Sequence, residues 1–256
     1  MEPDTSPHLQ RNREAWDRRS DEYQAKHSEQ LAASGGTAWG VWQLPESELK
    51  ILGDVRGRDV LEFGCGAAQW SIALHRLGAN VTGLDLSERQ LEHARELMAQ
   101  AGIDFPLVCA SATETPFADA SFDIVFCDHG AMSFADPFKT VPEAARLLRP
   151  GGLLAFSMST PLLDIAWAYG EDHPSDRFAL DYWSLRTIDE PGEPVAFQLP
   201  YGEWIALFVA NQFEIESLIE LRPPRSATSS YRDEIDLEWA LRWPMEHIWR
   251  VRRKPR

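Results

Sequence analysis

Cysteine is scarce: Cys65, Cys109 and Cys127 are the only three in 256 residues. They are far apart, form no C-x-x-C, and an odd number closes no disulfide set. Each falls in or beside a strand-like apolar run, which reads as buried free thiols in a reducing compartment. A long apolar run is also missing. With no stretch of 18 apolar residues, no membrane span is expected, and MEPDTSPHLQRNREAW at the start lacks the apolar core of a secretory signal. A cytoplasmic protein is the expectation. Positive charge is in deficit, 25 Lys plus Arg against 40 Asp plus Glu, for a net −15. That argues against an extended nucleic-acid surface, which needs clustered cations. The one basic run, RVRRKPR at 250–256, reads as a solubilising, edge-protecting tail. No His, Cys and Asp set has metal-ligand spacing, so no metal is expected. Internal repeats and coiled-coil heptads are absent, which suits a monomer or simple homodimer. A chain of this length buries roughly 70–75% of its unfolded surface and needs no staple.

What is present is alternation. Residues 10–33 are polar with Trp16, Tyr23 and Leu31 as apolar punctuation, a pattern for one or two N-terminal helices. PESELKIL starts a helix with Pro45 in first position. Then DVLEF, 59–63, is a short apolar run, and AAQWSIALHRLG has helical spacing to Gly78. NVTGLD, 80–85, is the next strand. LSERQLEHARELMAQAG has a Ser87/Gln90 capping box, Leu91, Ala94, Leu97 and Met98 on one face, and Gly102 as stop. DFPLVCA and SFDIVFCD are two further strands. TVPEAARLLRPGG repeats the capping logic with Thr140 and Glu143, and LLAFSMS, 153–159, is a fifth strand. Strands nearly continuous in apolar residues and alternating with helices predict an α/β, doubly wound, mostly parallel Rossmann-like sheet covered on both faces. Its ligands bind at the strands' carboxyl ends. Residues 160–200 are too irregular for a core element and read as an inserted lid. The expected organisation is a helical cap over 1–50 and one domain over 51–256.

VLEFGCGAAQW, 60–70, carries the chemistry. A glycine loop before a helix offers free N–H groups to a ligand, and Gly64 and Gly66 let the backbone approach without a Cβ. Asp85 follows nineteen residues after Gly66, placed to accept two ribose hydroxyls. The dinucleotide spacing G-x-G-x-x-G fails, because Gln69 stands at the last glycine. Glu62 makes the motif E-x-G-x-G; a carboxylate there repels a pyrophosphate and suits a ligand bearing an ammonium and a sulfonium. The residues therefore favour a cationic adenosine ligand over a nicotinamide dinucleotide.

These stretches resemble the class I S-adenosylmethionine-dependent methyltransferases, of the small-molecule type common in bacteria, over about residues 56–159. VLEFGCGAA is similar to the family's glycine motif, with Cys65 between the glycines and Ala68 where many members have a third. VTGLDLS is similar to the second motif, with Asp85 for the ribose and Leu86 against the adenine. CASATETPFADASFDIVFCD and RLLRPGGLLAFS carry the rest. Many members have an Asp before Ala112 to bond the adenine amino group; here it is Ser111. The resemblance implies S-adenosylmethionine as cofactor, a seven-stranded sheet with an antiparallel last strand, Asp128 as a candidate for the cofactor ammonium, and Tyr23 for its carboxylate.

Methyl transfer from a sulfonium is an in-line displacement with a good leaving group, so positioning supplies much of the acceleration. A base is needed only when the acceptor must lose a proton. His129, in CDHGAMSF just past the fourth strand, is the candidate base. Trp39, Trp42, Met132, Trp167, His173, Trp183 and Trp204 are candidates for an acceptor wall, with packing the competing role for the tryptophans. No Asn/Asp-Pro-Pro-aromatic run follows the fourth strand, which disfavours a nucleic-acid acceptor. An apolar or aromatic small molecule is the expected partner. The alternative is a protein that keeps the cofactor fold without methylating.

Overall fold

A computed structural model describes residues 7–255; residues 1–6, where the stretch read for a signal begins, and Arg256 lie outside it. The N-terminal region is one helix, α1 (Pro7–Ala32), followed by a hairpin of β1 (Ala38–Trp39) and β2 (Leu44–Pro45) and the single turn α2 (Glu46–Leu49). Pro45 caps that turn in extended geometry rather than opening it, and Lys50, left-handed at φ 53°, ends it. The expected longer helix therefore does not form.

The main sheet follows the alternation closely: β3 (Asp59–Phe63), α3 (Gln69–Arg76), β4 (Asn80–Asp85), α4 (Glu88–Ala101), β5 (Leu107–Cys109), β6 (Phe122–Asp128), α5 (Ala131–Phe134), α6 (Pro137–Leu147) and β7 (Leu148–Ser159). After α7 (Pro161–Ala166) and an irregular stretch come α8 (Tyr201–Ala210), β8 (Phe213–Leu221), α9 (Glu234–Ala240) and β9 (Glu246–Arg253). The seven strands run in the order β5-β4-β3-β6-β7-β9-β8, with β9 antiparallel to both neighbours and the others parallel. Strand order therefore reverses between β3 and β6, and the crevice at their carboxyl ends is where such sheets bind ligands.

Period-two alternation divides the strands between two cores. Leu61 and Phe63 of β3, Val125 and Cys127 of β6, and Leu154, Phe156 and Met158 of β7 face α6 and α8. Val60, Ile124, Phe126, Leu153 and Ala155 face α3 and α4. Glu62 shares the face of Val60, which aims its carboxylate at α3.

Several local expectations are corrected. Asp136 caps α6, accepting from Phe138 N at 3.0 Å with Pro137 in first position; Thr140 lies inside the helix, so the cap stands four residues earlier than the Thr140/Glu143 reading. Ser87 Oγ does accept from Gln90 N at 3.1 Å, but Gln90 does not reach back: its carbonyl oxygen takes the Gln24 amide at 2.9 Å, so half of the capping box forms. Cys65 and Cys127 are buried, whereas Cys109 is exposed. The basic run is not an edge tail. Arg250–Arg253 lie in β9, between β7 and β8, where Arg250 and Arg252 pair with Glu216. Among the described residues no helix is long and apolar enough to cross a membrane.

Candidate functional site

A cavity opens at the carboxyl ends of β3, β4 and β6, with α1 as its roof. The roof is unusual in burying polar groups. Asn12 donates to Val195 O and Phe134 O and accepts from Val195 N, all within 2.7–2.8 Å. Gln24 links Gln69 and Gln90 below it. The apolar periodicity of α1 is weak because its buried positions include Asn12, Ser20, Gln24 and His27. Arg11 and Arg19 tie α1 to Asp189, Glu193 and nearby carbonyls, fixing part of the irregular 160–200 segment to the roof.

The glycine loop forms the floor. Gly64, at φ 76°, is required by packing: a Cβ there would stand 2.4 Å from Ala131 N on the loop after β6. That differs from the expected reason, approach to a ligand. Gly66, at φ 53°, has an open Cβ direction, only Gln90 Oε1 lying within 4 Å at 3.7 Å, so this glycine keeps the floor clear. Its N–H donates to Asp85 Oδ2 at 2.8 Å, and Ser87 N donates to Oδ1 at 2.8 Å. Each Asp85 oxygen thus retains acceptor capacity toward the cavity. Ala68 adopts the same left-handed region at φ 60°.

Three carboxylates line the cavity, and no Lys or Arg among the described residues does. Glu62 accepts from Ser71 N at 3.1 Å and Ser71 Oγ at 2.5 Å. Burial pushes its carboxyl up to about 8. Burial likewise raises Asp85 to about 6, against the pull of its backbone donors, and raises Asp128. Asp128 is held by Gly40 N at 3.0 Å, Trp70 Nε1 at 3.3 Å and the Ser157 hydroxyl. Each of these acids binds protons more tightly folded than unfolded. Their contribution to stability is therefore present at low pH and lost as pH rises through their folded values, unless a cation answers them.

Tyr23 lines the cavity and shares a 2.8 Å hydrogen bond with Tyr231; burial pushes its phenol up to about 12. Ser111, bonded to Thr113 Oγ1 at 2.7 Å, lines it with Leu86, Cys65, Gln69 and Ala112. His129 also lines it, in a left-handed conformation at φ 51° on the loop after β6, and its ring contacts Glu246.

The tryptophans read as acceptor walls go elsewhere. Trp39 is fully buried beside Trp70 and Phe126, and Trp204 packs on Phe156 and Phe208 in the core. Met132 is fully buried in that same core. Trp42 belongs to a satellite core with Leu163, Trp239 and Met245, and Trp167 packs against it under the Arg232 guanidinium. Trp183 is exposed. His173 meets Asp236 at 3.2 Å and Asp233 at 3.6 Å, a grouping that sixty residues of separation concealed, and one that a hydrogen bond to Asp236 explains. None of these seven lines the cavity. Its aromatic lining is Trp16, Tyr23, Trp70 and Phe134 instead, with Trp16 and Phe134 edge to face at 5.1 Å.

Residues 61–156 match the family model described as a methyltransferase domain. Over that stretch the chain is similar to methyltransferase domains, and the seven-stranded sheet order accompanies the match. It is 38% identical over 111 residues to the demethylmenaquinone methyltransferase of Listeria monocytogenes serotype 4a, covering 42% of this chain and 47% of that protein. It is 34% identical over 134 residues to the ubiquinone biosynthesis O-methyltransferase of Thiobacillus denitrificans, covering 45% and 56%. The matches thus span about half the length of these relatives. In three dimensions it resembles an S-adenosylmethionine-dependent methyltransferase from Mesorhizobium loti, with a TM-score of 0.65 and 23% identity over 87% of this chain and 99% of that one.

Proposed function

We propose that this protein transfers a methyl group from S-adenosylmethionine to a small apolar or aromatic acceptor. One observation carries the reading: the cavity at the sheet's switch point presents three carboxylates and no opposing cation. A pyrophosphate would meet only like charge there, whereas an ammonium and a sulfonium would restore the ionised forms of Glu62 and Asp128. Asp85, with both oxygens already fixed by backbone N–H groups, is the ribose acceptor. Leu86, Ala112 and Ser111 form the adenine side, and Tyr23 and Gln69 face the methionine end. S-adenosylmethionine supplies the activated methyl; the protein's own work is to hold it, exclude water beneath α1 and place the acceptor in line.

Trp16, Phe134, Leu9 and Leu31 give the cavity one apolar side beside its amides and carboxylates, which favours an apolar acceptor. The two quinone-pathway relatives are consistent with that class. The test is incubation with methyl-labelled S-adenosylmethionine and a panel of phenols, carboxylic acids, amines and thiols. Label is expected in a phenolic or other apolar hydroxyl compound. Cofactor binding with no transfer to any class would favour the alternative, a module that binds the cofactor without methylating.

A further inference from the structure

His129 and Glu246 come from elements 117 residues apart and meet at the cavity edge. Glu246 opens β9 and is almost wholly buried. Its Oε1 accepts from Val41 N at 2.8 Å and from His129 Nε2. The chain makes room for this carboxylate: Gly40, at φ 71°, could carry no side chain, because its Cβ would stand 2.7 Å from both Glu246 oxygens. The histidine backbone is equally constrained. Its N–H donates to Ser157 O at 3.3 Å, and the adjoining Gly130 packs so closely that a Cβ would lie 2.5 Å from Gly64 O.

A carboxylate only accepts hydrogen bonds, so the nitrogen facing it, Nε2, bears the proton. In the neutral ring Nδ1 is then the basic nitrogen, and it makes no hydrogen bond to any described residue. We propose that Glu246 is the positioning residue that fixes His129 in this tautomer, making the pair a proton-accepting dyad for a hydroxyl-bearing acceptor. This rests on the methyl-transfer reading. Among the described residues no Lys or Arg lines the cavity to hold an anionic acceptor, so the hydroxyl enters neutral and loses its proton inside. One proton passes from the acceptor oxygen to His129 Nδ1 as that oxygen bonds the methyl carbon; the carbon–sulfur bond breaks and its electron pair stays on sulfur. Glu246 then faces the imidazolium.

The charged and titratable groups acting on His129 are Glu246 and Asp128, which favour its protonated form, and Arg232, which opposes it; Asp164 and His247 also feel its charge. Burial works against the imidazolium, yet Glu246, by charge and hydrogen bond, leaves the net shift upward from 6.5.

The test is nitrogen NMR of the histidine-labelled full chain, with His129→Gln to assign the resonance among seven histidines. The wild-type neutral ring is expected to carry its proton on Nε2 and to titrate above the ordinary histidine value. In Glu246→Gln the titration should fall by about one pH unit or more and both tautomers should appear, while S-adenosylhomocysteine affinity by calorimetry stays within about threefold. A wild-type ring protonated on Nδ1 would overturn the dyad, as would an unchanged titration and tautomer in Glu246→Gln. The wild-type measurement decides even where the variant folds poorly. Failure of wild type to bind S-adenosylhomocysteine would instead overturn the methyl-transfer reading and leave the tautomer result standing.

Discussion

Replacing His129 with alanine should lower turnover of the hydroxyl acceptor by about 10²–10⁴-fold, the range for loss of a positioned base, with S-adenosylhomocysteine affinity unchanged. The separation follows from the site's layout. His129 hydrogen-bonds to Glu246 and Ser157, not to Glu62, Asp85 or the floor glycines, so its loss leaves the cofactor side intact. The wild-type rate should rise with pH through the His129 titration, because only the neutral ring accepts a proton. That limb should lie above the usual histidine range, since Glu246 and Asp128 favour the imidazolium. In the alanine variant the limb should disappear. A drop under threefold in single-turnover assays with labelled cofactor would leave His129 as a wall and remove it as a base.

Asp85→Ala should weaken S-adenosylhomocysteine binding by at least about tenfold, some 1.4 kcal/mol. Two hydrogen bonds to a charged acceptor are lost, each worth about 1.5–3 kcal/mol net. The same change frees Gly66 N and Ser87 N from their 2.8 Å acceptors, so part of the loss comes from loosening of the floor. Asp85→Asn separates the two: it keeps one acceptor oxygen but no charge, and should fall between alanine and wild type. Unchanged affinity of the alanine variant by calorimetry would sink the ribose role.

Much of this was legible in the sequence because it is local. The parallel strands announce themselves by apolar runs, and Glu62, Gly66 and Asp85 sit within one βαβ unit whose connection brings them together. What stayed hidden depends on distant pairing. Gly64 reads as a ligand-approach glycine, yet the atom it must clear is Ala131 N, 67 positions later. Glu246 is visible only as an acid in an apolar strand, MEHIW; nothing local says that its partner is His129. Tyr231 pins the loop before α9 to Tyr23 across 208 residues. The tryptophans failed as site markers for a related reason. Helical spacing gives Trp204 an apolar face without saying whether a core or a ligand meets it, and Phe156, Phe208 and Trp249 already fill that face. Helix α1 was under-read for the opposite cause: Asn12 and Gln24 are buried and satisfied there, so polarity in the sequence did not mean solvent.

The central claim is that a cation-bearing adenosine ligand answers the carboxylates of this cavity. It makes a sign-definite statement about protons. In the free protein Glu62, pushed up to about 8, is mostly protonated at neutral pH, and Asp85, at about 6, is partly so. A ligand that binds their ionised forms must expel protons, so affinity should strengthen as pH rises from about 6 to about 8. The measurement is calorimetric titration with S-adenosylmethionine at several pH values, in buffers of different ionisation enthalpy, with NADH as the comparison. Tight binding at one site, proton release, tightening toward pH 8 and no response to NADH are the predicted results. Proton uptake on binding, or preference for the dinucleotide, would contradict the account.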